Sequence, residues 1–483
     1  MAVSGRRPIG AVDTIWLEMD RPNNLMVIDS LMWFDESADW ERVAAVVQRR
    51  LVDHFPVFRQ RPVESSVPMA APHWEDDPDF SLDRHLRRAV LPAPGDDACL
   101  QQYVEAQMHQ PLDRNHPLWE LHLIDGYLGG SAMVTRFHHA IADGIALAHV
   151  LLSLTDAEPT DDLVELESVA EVRADDDTDQ VKFDVGTAGT DWSSMVLGAA
   201  SALTGPATAA FRGAMHLAAG LPHAVNPAYA VDALTLALQT GHIADKLLLG
   251  SNPDTPLSGT PGVPKRAVWS QPRPLSDIKR VGRLAGATVN DVLVSAVSGA
   301  ITAYLIDHGG DPTDLTTMVP VNLRPVDRPL PRELGNQFAL VMLPLPTGVR
   351  APLQRLSEAK RRMDSIKHSP EAVLTFGIIN AIGRTNPDVA RFVVDFFAAK
   401  ALGVTTNVMG PLSGRYVAGS RIAGVLGWVP GSGQQTVGVC IISYDETIRI
   451  GFKVDAGVVP DPEKLVHAFD DEMDTLLRMA EAV

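Results

Sequence analysis

Residues 131–152 change character at one point, and that point narrows what the chain can fold into. Ser131 to Phe137 is a short apolar run, β-branched in part and preceded by Gly129-Gly130, so it reads as a strand. Ile145 to Leu152 is apolar all round and built from good helix formers, so it reads as a buried helix. Between them lies Phe137-His138-His139-Ala140-Ile141-Ala142-Asp143-Gly144. A strand that turns directly into a buried helix belongs to a layered α/β structure. Asp143 falls where a helix cap or first-turn acid belongs. Side chains alternate across a strand, so His138 and His139 are expected on opposite faces, one towards a cleft and one packed inward.

The rest of the chain fits the same class. Leu25 to Phe34 reads as a strand, and Ser37-Ala-Asp-Trp40 opens a helix to about His54, with Val43, Val46, Val47 and Leu51 on one face. Phe55 to Phe80 is rich in proline and reads as loop. A helix at 97–110 and a strand at 119–124 lead to the histidines. Composition then shifts: residues 156–184 hold twelve acidic and two basic residues, which reads as a solvated linker. Residues 190–250 look helical, and the Ala/Gly-rich part at 193–225 is expected to pack as a helical pair or to lie on a membrane surface. Beyond residue 266, helices open at Leu275 and Thr288. Strands are expected at 316–322, 337–345, 420–429, 436–443 and 448–455, with a charged helix at 353–368, further helices over 371–402 and a last helix opened by Asp461-Pro462.

Composition removes several function classes. A net charge of −19 argues against nucleic acid or an anionic bilayer as partner of the whole surface. The two cysteines, Cys99 and Cys440, build neither a disulfide framework nor a zinc site, and a reducing cytosol suits them. No uncharged stretch reads as long and apolar enough to span a bilayer. Opposed histidines do not converge on one metal ion. Nucleophile elbows, phosphate loops and dinucleotide loops are missing from the sequence. What remains is a histidine acting as general base at neutral pH.

The stretch His138 to Gly144 resembles the HHxxxDG signature of the CoA-dependent acyltransferase superfamily. More particularly, the chain resembles the bacterial wax ester synthase/acyl-CoA:diacylglycerol acyltransferases. The likeness runs through nearly the whole chain: Phe80 to His85, Pro111 to Glu120 with its PLW, Asn290-Asp291, Pro320 to Arg324 with Gly335-Asn336, Thr406 to Pro411, and Ser443-Tyr444 with Val459 to Pro462. Two places depart from the pattern. Gly10-Ala-Val-Asp13-Thr-Ile-Trp16-Leu17 lacks the family's proline, and Thr406 and Met409 replace the Ser and Pro of SNVPGP.

The resemblance implies two chloramphenicol-acetyltransferase-like α/β domains with mixed sheets, at 1–155 and 266–483. The acidic, helical linker 156–265 would join them, with an active-site tunnel between. It implies an O-acyltransferase that moves a long-chain acyl group from acyl-CoA to diacylglycerol, or to a long-chain alcohol. His139 would be the general base and His138 a structural neighbour. Asp143 would order the turn and pair with Arg324, and Gly144 would allow close backbone approach. Asn290, Thr406 and Asn407 are expected at the substrate, while capping is an equally good reading of Asn290-Asp291. No metal and no permanently bound cofactor are expected, with acyl-CoA as co-substrate. A cytoplasmic protein is expected, with attachment to the inner membrane or lipid droplets left open. The rival readings are a non-catalytic acyl-CoA or lipid binder and a condensation-type acyltransferase.

Overall fold

The computed structural model describes residues 6–65, 71–159, 250–324, 330–367, 369, 371–383 and 387–482. It is a mixed α/β molecule built on two main sheets. The first has six strands in the order Tyr416–Val417, Ser420–Trp428, Val27–Phe34, Gly130–His138, Trp119–Tyr127 and Leu86–Val90. All its pairings are antiparallel except the last, which is parallel. The second runs Thr405–Met409, Val437–Tyr444, Thr447–Asp455 and Lys265–Trp269, with Arg273–Pro274 also paired to Thr447–Asp455. A hairpin of Leu315–Asn322 and Phe338–Leu345 continues it, because Met318 N donates to Gly403 O at 2.9 Å.

The histidine strand is central in the first sheet, and every residue of Gly130–His138 is buried. That explains its near-continuous apolar character: a strand covered on both faces has no solvent side on which to alternate. Its neighbour Val27–Phe34 pairs on the other edge with Ser420–Trp428, from the last seventh of the chain. The first sheet is therefore completed by a segment some four hundred residues from its start.

Several local expectations shift. The helix after Trp40 is α-helical only over Trp40–Val46, capped by Asp39, and widens to a π-helical turn over Val47–Val52. This turn carries Arg50 inside, where it pairs with Asp156 at 2.9 Å. Asp156, the first acid of the expected solvated linker, is thus buried. The residues 160–249 of that linker and its helices lie outside the described residues. Within the region read as loop, Gln60–Val63 and His73–Asp76 form a small sheet with Arg7–Pro8. These strands are two to four residues long and two of the three carry a proline, which hides their period.

Helix Val289–Asp307, capped by Thr288, opens where expected. It reaches a mean hydropathy of 1.5 over a membrane-spanning length, yet 78% of that window is buried inside the protein. It packs between helices Pro352–Lys367 and Glu463–Glu481 as the centre of the second half's core. Each Leu, Val or Ile side chain that it buries stabilises the fold by about 1.5–3 kcal/mol.

Candidate functional site

The strand ends at His138, and the chain makes a tight turn before helix Gly144–Ser153 starts. His138 is 1% exposed. Its Nδ1 accepts from Ala140 N at 3.1 Å, so its proton belongs on Nε2, which lies 3.6 Å from Asp20 Oδ2. Burial holds its imidazole below the usual histidine range, and Asp20 pulls it the other way. The ring shapes the turn and is closed to any substrate.

His139 is held differently. Its N–H donates to Met26 O at 2.7 Å, and the residue is half-buried where His138 is fully buried. Trp16, on helix Ala11–Met19, stacks on it with centroids 4.1 Å apart, and Phe338 lies at 5.7 Å. Nδ1 faces Asn336 Oδ1 at 3.0 Å. Burial among these groups pushes the His139 pKa down to about 4. At neutral pH the ring is uncharged and able to take a proton.

Asp143 is the N-cap of the following helix. Its Oδ1 accepts from Ala146 N at 2.9 Å. Its Oδ2 accepts from Arg324 Nη2 at 3.1 Å and from Gln337 N at 3.0 Å. Arg324 also donates to Gly335 O. Gly335 N donates in turn to Ile141 O at 3.0 Å. Residues 335–337 therefore clip onto the histidine turn at three successive points. Gly335 adopts φ +103°, a conformation that side-chain-bearing residues rarely take. Gly144 behaves otherwise than expected: a Cβ built there meets nothing within 4 Å. No backbone approaches it, and space is left open at the helix start.

Beside this turn a pocket of about 860 Å³, part of it open to solvent, is lined from both halves of the chain. Ile145, Ala148 and His149 come from the helix after the motif, and Asn290, Asn322, Thr406 and Asn407 from the second half. The three residues expected at the substrate, Asn290, Thr406 and Asn407, thus share one pocket, and Asn407 Nδ2 donates to Asn290 Oδ1. Asp291 is turned away into a capping box with Thr288. The charged helix Pro352–Lys367 holds basic side chains in ion pairs. Arg355 is buried against Glu472, and Lys360, Arg361 and Arg362 pair with Asp364, Glu358 and Asp314.

Among the described residues one trio could hold a cation, Asp307, His308 and Asp461. The Lys464 ammonium lies 2.5 Å from the first carboxylate and 2.8 Å from the last, and fills that place. Sequence reading left Asp13, Trp16 and Asn336 without a role. The signal available was their position in Gly10–Leu17 and Gly335-Asn336, which says nothing of what they touch.

The family model described as wax ester synthase/diacylglycerol acyltransferase catalytic domain matches residues 9–293. The model described as WS/DGAT C-terminal domain matches residues 334–477. A probable diacylglycerol O-acyltransferase of Mycobacterium tuberculosis is 27% identical over 430 residues, 88% of this chain and 84% of that protein. Among solved structures, the wax ester synthase/diacylglycerol acyltransferase from Marinobacter aquaeolei VT8 is similar with a TM-score of 0.67 at 19% identity, covering 98% of this chain and 99% of that one. A starter condensation domain of rhizomide synthetase, a mutant in complex with C8-CoA and Leu-SNAC, is similar with a TM-score of 0.54 at 15% identity, covering 99% and 94%.

Proposed function

The chain belongs to the wax ester synthase/diacylglycerol acyltransferase family, and from that premise we propose that His139 is its general base. The enzyme is an O-acyltransferase that moves an acyl group from acyl-CoA to diacylglycerol, giving triacylglycerol, or to a long-chain alcohol, giving a wax ester. In the proposed step the acceptor hydroxyl gives its proton to His139 Nε2 as its oxygen bonds to the thioester carbonyl carbon. The tetrahedral intermediate then collapses, the carbon–sulfur bond breaks, and the CoA thiolate takes the proton from His139. The ester and free CoA leave with all protons accounted for.

One observation carries this reading: a half-buried histidine with a lowered pKa, at a turn held from both halves of the chain. Orientation supplies much of the rate, since the acceptor oxygen needs only to be held against the thioester beside the base. The pocket with Asn290, Thr406 and Asn407, lined by the helix after the motif though not by His139 itself, offers a few polar groups among apolar walls. Acceptors of this kind are insoluble in water, so delivery from a membrane or lipid-droplet surface belongs to the proposal.

The test is release of free thiol from acyl-CoA with diolein as acceptor. His139→Ala is expected to lower kcat by about 10²–10⁴-fold while the fold is kept. Wild-type turnover in that variant would overturn the base assignment. Binding of acyl-CoA with no thiol release, whatever alcohol is supplied, would favour the non-catalytic binder.

A further inference from the structure

Asn336 stands between the proposed base and a buried carboxylate. Its Nδ2 donates to Asp13 Oδ1 at 2.8 Å and to the backbone O of His139 at 2.8 Å. Its backbone N donates to the same Asp13 oxygen at 2.9 Å. Both amide protons are therefore committed to oxygen acceptors, and the amide can stand only one way round. That leaves Oδ1 facing His139 Nδ1 at 3.0 Å, where the ring also meets its own main-chain oxygen. An amide oxygen has no proton to give, so Nδ1 must carry the ring hydrogen and Nε2 must present its lone pair.

We propose that Asp13 and Asn336 are positioning residues that lock His139 in the Nδ1–H tautomer and steady the imidazolium that forms during transfer. The idea rests on His139 being the base. A ring with its hydrogen on Nε2 has no lone pair to offer an acceptor hydroxyl there. As Nε2 takes the proton, the positive charge is met by the Asn336 oxygen, and behind it by Asp13 through the amide.

The surroundings of Asp13 are built for this carboxylate. A Cβ at Gly10 would lie 2.7 Å from Asp13 Oδ2, and one at Gly335 would lie 3.3 Å from it. Two glycines thus clear the slot. Asp13 and Trp16 are one turn apart on the same helix, so that helix sets both the tautomer and, through stacking, the plane of the His139 ring. Burial raises the Asp13 carboxyl above its usual range, and the Asn336 donors and Arg7 oppose that rise. In either protonation state Oδ1 remains an acceptor.

The experiment is a long-range ¹H–¹⁵N correlation spectrum of the full chain labelled with ¹⁵N-histidine, with the His139 signals assigned by their loss in His139→Ala. The wild type is expected to show His139 protonated at Nδ1. In Asp13→Ala and Asn336→Ala the Nε2–H form should grow in, with kcat down about 10²-fold. The KM for acyl-CoA is expected to change by under about threefold, because neither residue is placed to bind substrate. An Nε2–H ring in the wild type overturns the proposal, even if neither variant folds. An unchanged Nδ1–H ring in both folded variants also overturns it. Wild-type activity in His139→Ala would instead sink the base reading, whatever the tautomer, so the two failures are told apart.

Discussion

At the residue scale, burial decides what each titratable group can do. A histidine in the unfolded chain titrates near about 6.5, while His139 in the fold is pushed down to about 4. Between those values the unfolded chain binds a proton that the folded protein refuses. Stability from this group is full above about pH 6.5 and is lost as the pH falls from there towards 4. His138 and His85, also held low by burial, act with the same sign. A scan of Tm against pH should therefore fall from pH 7 to 5, and fall less steeply in His139→Asn; equal slopes would count against the burial argument. Activity has its own limb. On the proposed role of His139 the neutral ring is the active form, so kcat/KM should hold down to about pH 5 where the fold survives.

At the element scale, the helix Gly144–Ser153 has its first turn tied to a loop nearly two hundred residues away. Asp143 caps it, and the same carboxylate holds Arg324 and Gln337 N. Asparagine at this position can still cap, but it leaves the Arg324 guanidinium buried without its counter-charge. Loss of one partner of a buried pair costs about 3–5 kcal/mol. Asp143→Asn should thus lower stability and turnover together, read by denaturant unfolding and the thiol assay. Full activity at normal stability would remove this role for Asp143. The capping was legible, because a short acceptor before an apolar helix is a local pattern. The strand Leu86–Val90 was not, because Arg87 and Arg88 are exposed on a sheet edge and break the apolar signal.

At the scale of the whole molecule, the two halves share a sheet and a buried ion cluster. Lys453 Nζ, from the second sheet, lies 3.0 Å from Asp29 Oδ2 in the first. The other oxygen of Asp29 takes Arg136 at 3.3 Å. Residues 1–155 alone would lack strand Ser420–Trp428, leaving the edge of Val27–Phe34 unpaired. An unpaired hydrophobic edge of this kind invites aggregation. That fragment is expected to be insoluble or to lack native tertiary signals by near-ultraviolet circular dichroism; a soluble, cooperatively unfolding fragment would refute this. The sequence by itself determined the α/β class, the strand-to-helix turn, the cap at Asp143 and the histidine proposed as the base. Each of these is a local matter of period, propensity and side-chain chemistry over a few residues. Only the tertiary structure decided which histidine stays reachable, that Asn336 meets its ring with Asp13 behind, and that Gly144 faces open space. It also decided that residues 420–428 complete the first sheet. Those outcomes depend on pairings between residues tens to hundreds of positions apart, which no local pattern encodes. The turn that holds His139 is thus legible in one short stretch, while the means of holding it come from residues 13–26 and 324–337.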